Sequence, residues 1–179
     1  MPEYHIYLGA DHRGFKKKEE LFPMLRDCHE NVIVEDLGAE AYDENDDFND
    51  AAIAVAQAVA NGEHNIGVLL CGSAHGVCMQ ANRIRGARAI NAKDAESAKA
   101  GREHDHANIL CLAADELDVD QMEQIIKAFC HTRPSQEERY LRRVKRLDEG
   151  VTSEPEGLEV GFSMKLAGDG NEENEDEEE

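Results

Sequence analysis

Gly67-Val68-Leu69-Leu70-Cys71-Gly72-Ser73-Ala74-His75-Gly76 decides the fold. The run from Ile66 to Leu70 is apolar without interruption, as a parallel strand buried on both faces must be. It ends at Cys71. A turn of small residues follows, and Ala74 to Ile84 reads as a helix. A strand–turn–helix junction of this kind sets backbone N–H groups before whatever ends the strand. A thiol in that place suits proton transfer on a small anionic substrate.

Outward from this stretch, short apolar runs alternate with helix-period segments. Residues 4–9, 31–35, 66–70, 87–90 and 108–112 read as strands. Helices are expected over 14–28, where Pro23 is a possible kink, and over 48–61, 74–84, 95–101, 118–130 and 135–147. The alternation predicts an α/β fold, a Rossmann-like three-layer sandwich with a five-stranded parallel sheet. Ligands in such sheets bind at the carboxyl ends of the strands. Gly9 to Phe15 follows the first strand, the Cys71 turn follows the third, and Arg102 to Asn108 lies between the fourth and fifth. All three are expected to converge on one rim.

Composition bounds the rest. The chain has 179 residues, 41% of them apolar, which is enough for one domain with a real core. No apolar run approaches the length of a membrane helix. The N-terminus has no export-signal pattern, so the cytoplasm is the expected compartment. Formal charge is −20, and Gly168 to Glu179 holds eight of the acidic residues. The expected division is a domain over 1–149, an extension over 150–167 and a disordered acidic tail over 168–179. The tail reads either as a solubilising segment or as a contact for a basic partner. Nucleic-acid binding is not expected, since no basic stripe interleaves with aromatics. Five cysteines without a CxxC pair argue against a disulfide framework or a four-cysteine zinc site. Cys111 reads as a buried small hydrophobe, and Cys28 and Cys130 as structural. His104-Asp105-His106 invites a metal reading, but no third ligand has convincing spacing, and no cofactor is expected.

With these residues in view, the chain resembles the type B ribose-5-phosphate isomerases and the related galactose-6-phosphate isomerase subunits. The resemblance spans about residues 4 to 147. It rests on Gly9-x-Asp11-His12-x-Gly14-Phe15, Asn61-Gly62-Glu63 and Cys71-Gly72-Ser73-x-x-Gly76. Three further motifs are Ala81-Asn82-Arg83-x-x-Gly86-x-Arg88-Ala89, His104-x-x-x-Asn108 and Arg139-x-x-x-Arg143-Val144.

The resemblance implies aldose–ketose isomerisation of a phosphorylated sugar through an enediolate. It implies Cys71 as the base, and a helix N-terminus is expected to lower its thiol toward thiolate. Ser73 supports the cysteine, though the same hydroxyl reads equally as a helix cap. The amides of Gly72, Ser73, Ala74, His75 and Gly76 form an anion hole. His104 is the implied ring-opening acid, with Asp11 as its partner near the sugar oxygens and His12 near the phosphate. Asn82 fixes the turn or a sugar hydroxyl. Arg139 and Arg143, four apart, form an anion clamp. The last helix is expected to reach a neighbouring subunit's site, which implies a homodimer or homotetramer sharing active sites.

Four positions depart from the family pattern. Ala74 replaces a glycine, and His75 is unusual within the turn. Asp105 replaces an asparagine beside His104. Asp115 stands where an arginine meets the substrate phosphate, which leaves Arg88 or Arg13 as substitute cations. The leading reading is therefore an isomerase with ribose 5-phosphate and ribulose 5-phosphate as the default pair. The alternatives are an isomerase of another sugar phosphate, hexose or tetrose, and a non-catalytic sugar-phosphate-binding subunit.

Overall fold

A computed structural model describes residues 4–26 and 32–149. Cys28, the extension over 150–167 and the acidic tail lie outside the described residues. Eleven elements follow in chain order: β1 (Tyr4–Ala10), α1 (Phe15–Leu25), β2 (Val32–Asp36), α2 (Phe48–Ala60), β3 (Ile66–Cys71), α3 (His75–Ala81), β4 (Ala89–Asn91), α4 (Ala95–His104), β5 (Ile109–Ala113), α5 (Val119–His131) and α6 (Glu138–Glu149).

The five strands form one parallel sheet in the order β2-β1-β3-β5-β4. Every residue of β3 and β5 is buried, which explains their unbroken apolar sequences. Leu21 and Leu25 of α1, with Met122, Ile125, Ile126 and Phe129 of α5, pack on one face of the sheet. Ala52, Val55, Ala56 and Val59 of α2, with Val77 and Ala81 of α3, pack on the other. The three-layer expectation therefore holds.

The chain leaves β1 toward β2 on one side and β3 toward β5 and β4 on the other. The order reverses between β1 and β3, the kind of point at which open α/β sheets bind ligands. Register sets Ala10 beside Leu70, and the N–H of Asp11 donates to the carbonyl of Leu70 at 3.2 Å. Gly14 is required by proximity: a Cβ there would lie 2.6 Å from Cβ of Leu70 and 2.8 Å from its carbonyl oxygen. The start of α1 thus sits directly on the end of β3.

Helix ends differ from expectation in one place that matters. Asp94 caps α4 by accepting from the Ser97 N–H at 2.7 Å, in a reciprocal capping box. The helix continues three residues past Gly101 and ends at His104. Glycine lowers helix propensity, but Gly101 is buried, and a Cβ there would meet Cδ1 of Ile90 at 2.3 Å. Close packing keeps the helix intact through that point.

Candidate active site

Cys71 ends β3 with 5% of its surface exposed. The backbone N–H groups of Val77, Ala74 and Ser73 favour its thiolate. Burial outweighs them and pushes the thiol above its ordinary range, and the neighbouring Asp11 carboxylate pushes the same way. The expectation of a lowered thiol is corrected here. The junction does supply amides, but α3 has only seven residues and the sulfur lies in an apolar layer.

The turn after Cys71 keeps the left-handed residue that a glycine would serve. Ala74 sits at φ 63 and is fully buried. Left-handed backbone costs a residue with a Cβ on the order of 1 kcal/mol. Ser73 is exposed, and its hydroxyl accepts weakly from the His75 N–H at 3.5 Å. Its carbonyl accepts from Nδ2 of Asn91 at 3.3 Å. Ser73 and His75 line a cleft of about 290 Å³ with Asn91, Lys93 and Glu116. Gly76 packs against the ring of Phe48, where a Cβ would lie 2.8 Å from Cζ.

Asp11 is 6% exposed and stands beside Cys71. Its Oδ1 accepts from the N–H groups of Arg13 and Gly14, each at 3.0 Å. Burial raises its carboxyl, while those amides and His12 pull it back down. His12 is held by the acidic loop: Nδ1 lies 2.6 Å from Oδ1 of Asp46, and the His12 N–H donates to the same oxygen at 3.0 Å. Arg13 forms a two-point pair with Asp115, Nε to Oδ1 at 3.1 Å and Nη2 to Oδ2 at 2.5 Å.

The remaining sequence-derived residues lie elsewhere. His104 ends α4, before β5 begins at Ile109, whereas Cys71 pairs in register with Ala113 at the end of β5. The length of β5, about 13 Å, separates the two edges. The expected convergence of three motifs on one rim is corrected: a helix following a parallel strand returns the chain to the amino edge of the sheet. Asp105 caps the same helix end and lines a cleft of about 450 Å³ with Arg88, Leu147 and Asp148. Arg88 is not a substitute cation at the Cys71 rim: its carbonyl accepts from the Ile109 N–H at the start of β5, the opposite edge, where its Nη1 pairs with Asp148 at 2.9 Å.

At this second edge His104 stacks on Tyr140, with ring centroids 4.7 Å apart and planes 9° apart. The guanidinium carbons of Arg139 and Arg143 lie 4.5 and 5.9 Å from the Tyr140 ring centroid. A histidine, an aromatic ring and two cations therefore assemble on α4 and α6. Asn82 is structural: its Oδ1 accepts from the Ala89 N–H at 2.9 Å, and its Nδ2 donates to Ala89 O at 2.8 Å. Of its two expected roles, fixing the turn is the one its hydrogen bonds serve. Sequence reasoning missed Tyr140 and Asp46. Tyr140 lies within one helical turn of both arginines, which was the available signal; Asp46 had none beyond its acidic loop. Among the described residues, no three histidine, cysteine, aspartate or glutamate side chains gather as metal ligands. Within the same residues, no helix is long and apolar enough to cross a membrane.

A thiol and a buried carboxylate thus meet at the reversal point of a parallel sheet, where α/β proteins commonly bind ligands. The comparisons narrow the class. Residues 6–147 match the ribose/galactose isomerase family. A probable ribose-5-phosphate isomerase B of Mycoplasma genitalium is 38% identical over 112 residues, covering 62% of this chain and 72% of that protein. D-erythrulose-4-phosphate isomerase 2 of Mycolicibacterium smegmatis is 31% identical over 122 residues, covering 68% and 80%. The crystal structure of the M. genitalium ribose-5-phosphate isomerase B with bound ribulose-5-phosphate superposes with a TM-score of 0.77 at 31% identity, covering 83% of this chain and 97% of that one. The chain belongs to the ribose/galactose isomerase family, and its enzyme class is aldose–ketose isomerase.

Proposed function

We propose that the protein interconverts ribose 5-phosphate and ribulose 5-phosphate, with Cys71 moving the proton. The observation that carries this is the Cys71 sulfur beneath the amides of Ser73, Ala74 and Val77. As thiolate, the sulfur takes the proton from C2 of the open-chain aldose. The C2–H electron pair becomes a C1–C2 double bond, and the carbonyl electrons move to the C1 oxygen. The resulting enediolate is an anion, and the N–H groups of the turn from Gly72 to Gly76 are the donors proposed to stabilise it. Passing the proton between the oxygens and returning the sulfur-bound proton to C1 gives the ketose. Asp11 stands beside the sulfur to bind the sugar hydroxyls.

Ring opening needs an acid, and His104 is the residue proposed for it. Since one chain holds Cys71 and His104 at opposite sheet edges, the complete site takes His104, Arg139 and Arg143 from a second copy. A symmetric dimer then has two equivalent sites. Asp105 and Asp115, at positions where the family resemblance implies asparagine and arginine, favour a second reading: the same chemistry on a tetrose or hexose phosphate.

A panel of tetrose, pentose and hexose phosphates, assayed for aldose–ketose conversion, tests both readings. The expected result is turnover with kcat/KM highest for ribose 5-phosphate. A higher value for another sugar phosphate selects the second reading. Absence of turnover on the whole panel leaves a non-catalytic binding subunit.

A further inference from the structure

Arg13 and Asp115 are 102 positions apart in sequence. Arg13 belongs to the loop after β1, and Asp115 to the loop after β5. Those strands flank β3, so the pair spans two strand spacings, about 10 Å. It crosses the end of the strand that carries Cys71. A Cβ on Gly72 would lie 2.8 Å from Nε of Arg13 and 2.9 Å from Oδ2 of Asp115. The residue directly after Cys71 is therefore a glycine with an ion pair resting on its backbone.

Asp115 is fixed from two directions. Its own N–H donates to Gly72 O at 3.0 Å. The loop that bears it is tied to α1 by Lys17, whose Nζ donates to Ala114 O at 2.7 Å and also to Leu117 O. The backbone that bears the carboxylate is thus anchored, and the carboxylate holds the guanidinium beside Gly72. Arginine carries five N–H groups, and this pairing uses one on Nε and one on Nη2. Three remain, on Nη1 and on the outer side of Nη2, and they form a second fork. The Arg13 side chain is 55% exposed, so that fork is open to solvent. A planar fork of this kind matches two oxygens of a phosphate.

We propose that Arg13 is a phosphate-contacting residue of the Cys71 site and that Asp115 is its positioning residue. The proposal rests on the sugar-phosphate reading above and deepens it. Asp115 then supplies through Arg13 the cation its own position lacks. Because the pair is neutral as a whole, its grip comes from directed hydrogen bonds rather than from long-range attraction.

The test uses full-length R13Q, R13K, D115N and the R13Q/D115N double variant. Two quantities are measured for each: kcat and KM with ribose 5-phosphate, and the calorimetric Kd for inorganic phosphate, which needs no turnover. R13Q is expected to raise KM and the phosphate Kd by roughly 10- to 100-fold, the worth of a hydrogen bond to a charged group, with a smaller effect on kcat. R13K restores part of the loss, since it keeps charge without the fork. D115N shifts both constants the same way by a smaller factor and adds nothing in the R13Q background. A phosphate Kd and KM unmoved by R13Q overturn the proposal, as does a loss confined to kcat, which places Arg13 on the enediolate. Equal effects of D115N with and without Arg13 remove the positioning role. Arg13-dependent phosphate binding without turnover of any sugar phosphate defeats the isomerase reading and leaves this one standing.

Discussion

Cys71 and His104 lie at opposite edges of one sheet: the first ends β3, and the second ends the helix that leads back into β5. No side-chain movement spans the length of β5. The geometry supports shared sites and makes a quantitative forecast. C71A and H104N homodimers should each be nearly inactive. When the two are unfolded together and refolded, half the dimers are mixed. Each mixed dimer has one site with both residues intact and one with neither. Activity should recover to about a quarter of wild type, as two-fold symmetry requires. A mixture no more active than its parents removes the shared-site arrangement.

Burial raises the Cys71 thiol, so the reactive thiolate is the minor form at neutral pH. Two measurements should therefore move together with pH. Alkylation of Cys71 by iodoacetamide, followed on its peptide by mass spectrometry, should climb through a midpoint above that of an ordinary thiol. The value of kcat/KM should rise over the same range. In C71A the alkaline rise should vanish, with kcat reduced about 10²–10⁴-fold, the usual worth of a positioned acid–base group. A Cys71 midpoint below the ordinary thiol range contradicts the burial argument.

Asp11 costs stability at neutral pH. Its carboxyl is raised by burial, so the folded protein holds that proton more tightly than the unfolded chain. The resulting stability is complete below the ordinary carboxyl range. It declines as pH climbs through the raised value, and at pH 7 the buried charge is a cost. D11N removes the charge and keeps an oxygen for the Arg13 and Gly14 amides. Chemical denaturation at pH 7 should show D11N at least as stable as wild type, while isomerisation falls. At acid pH the stability difference should shrink.

The strands and most helices were legible because burial wrote them plainly. β3 and β5 are apolar at every position, and the α5 stripe of Met122, Ile125, Ile126 and Phe129 has helical spacing. Cys71 was legible because it closes such a strand. The position of His104 was not, since Gly101 reads as a helix end and only its packing on Ile90 shows otherwise. The Arg13–Asp115 pair was invisible for another reason: nothing local links residues 102 positions apart. Only the strand order brings them together.

Lys18 gives the last prediction and illustrates a signal that periodicity does contain. Of the three lysines Lys16, Lys17 and Lys18, only Lys18 falls on the stripe of Leu21 and Leu25, three and seven residues on. It is fully buried. Its Nζ pairs with Oδ2 of Asp36 at 2.6 Å and donates to Ala39 O at 2.8 Å, which ties the loop after β2 to α1. Asp36 in turn accepts from the Gly38 N–H at 2.9 Å. Lys18→Met preserves the stem but strands a partly buried carboxylate and frees the loop. Because Asp36 reaches solvent, the expected cost is that of a hydrogen bond to a charged group, about 1.5–3 kcal/mol. The K18M/D36N double variant removes the stranded charge and should recover a large part of that loss. Denaturant titrations of the four species of the cycle measure the coupling. Losses that merely add would show that Lys18 stabilises the fold through its stem alone.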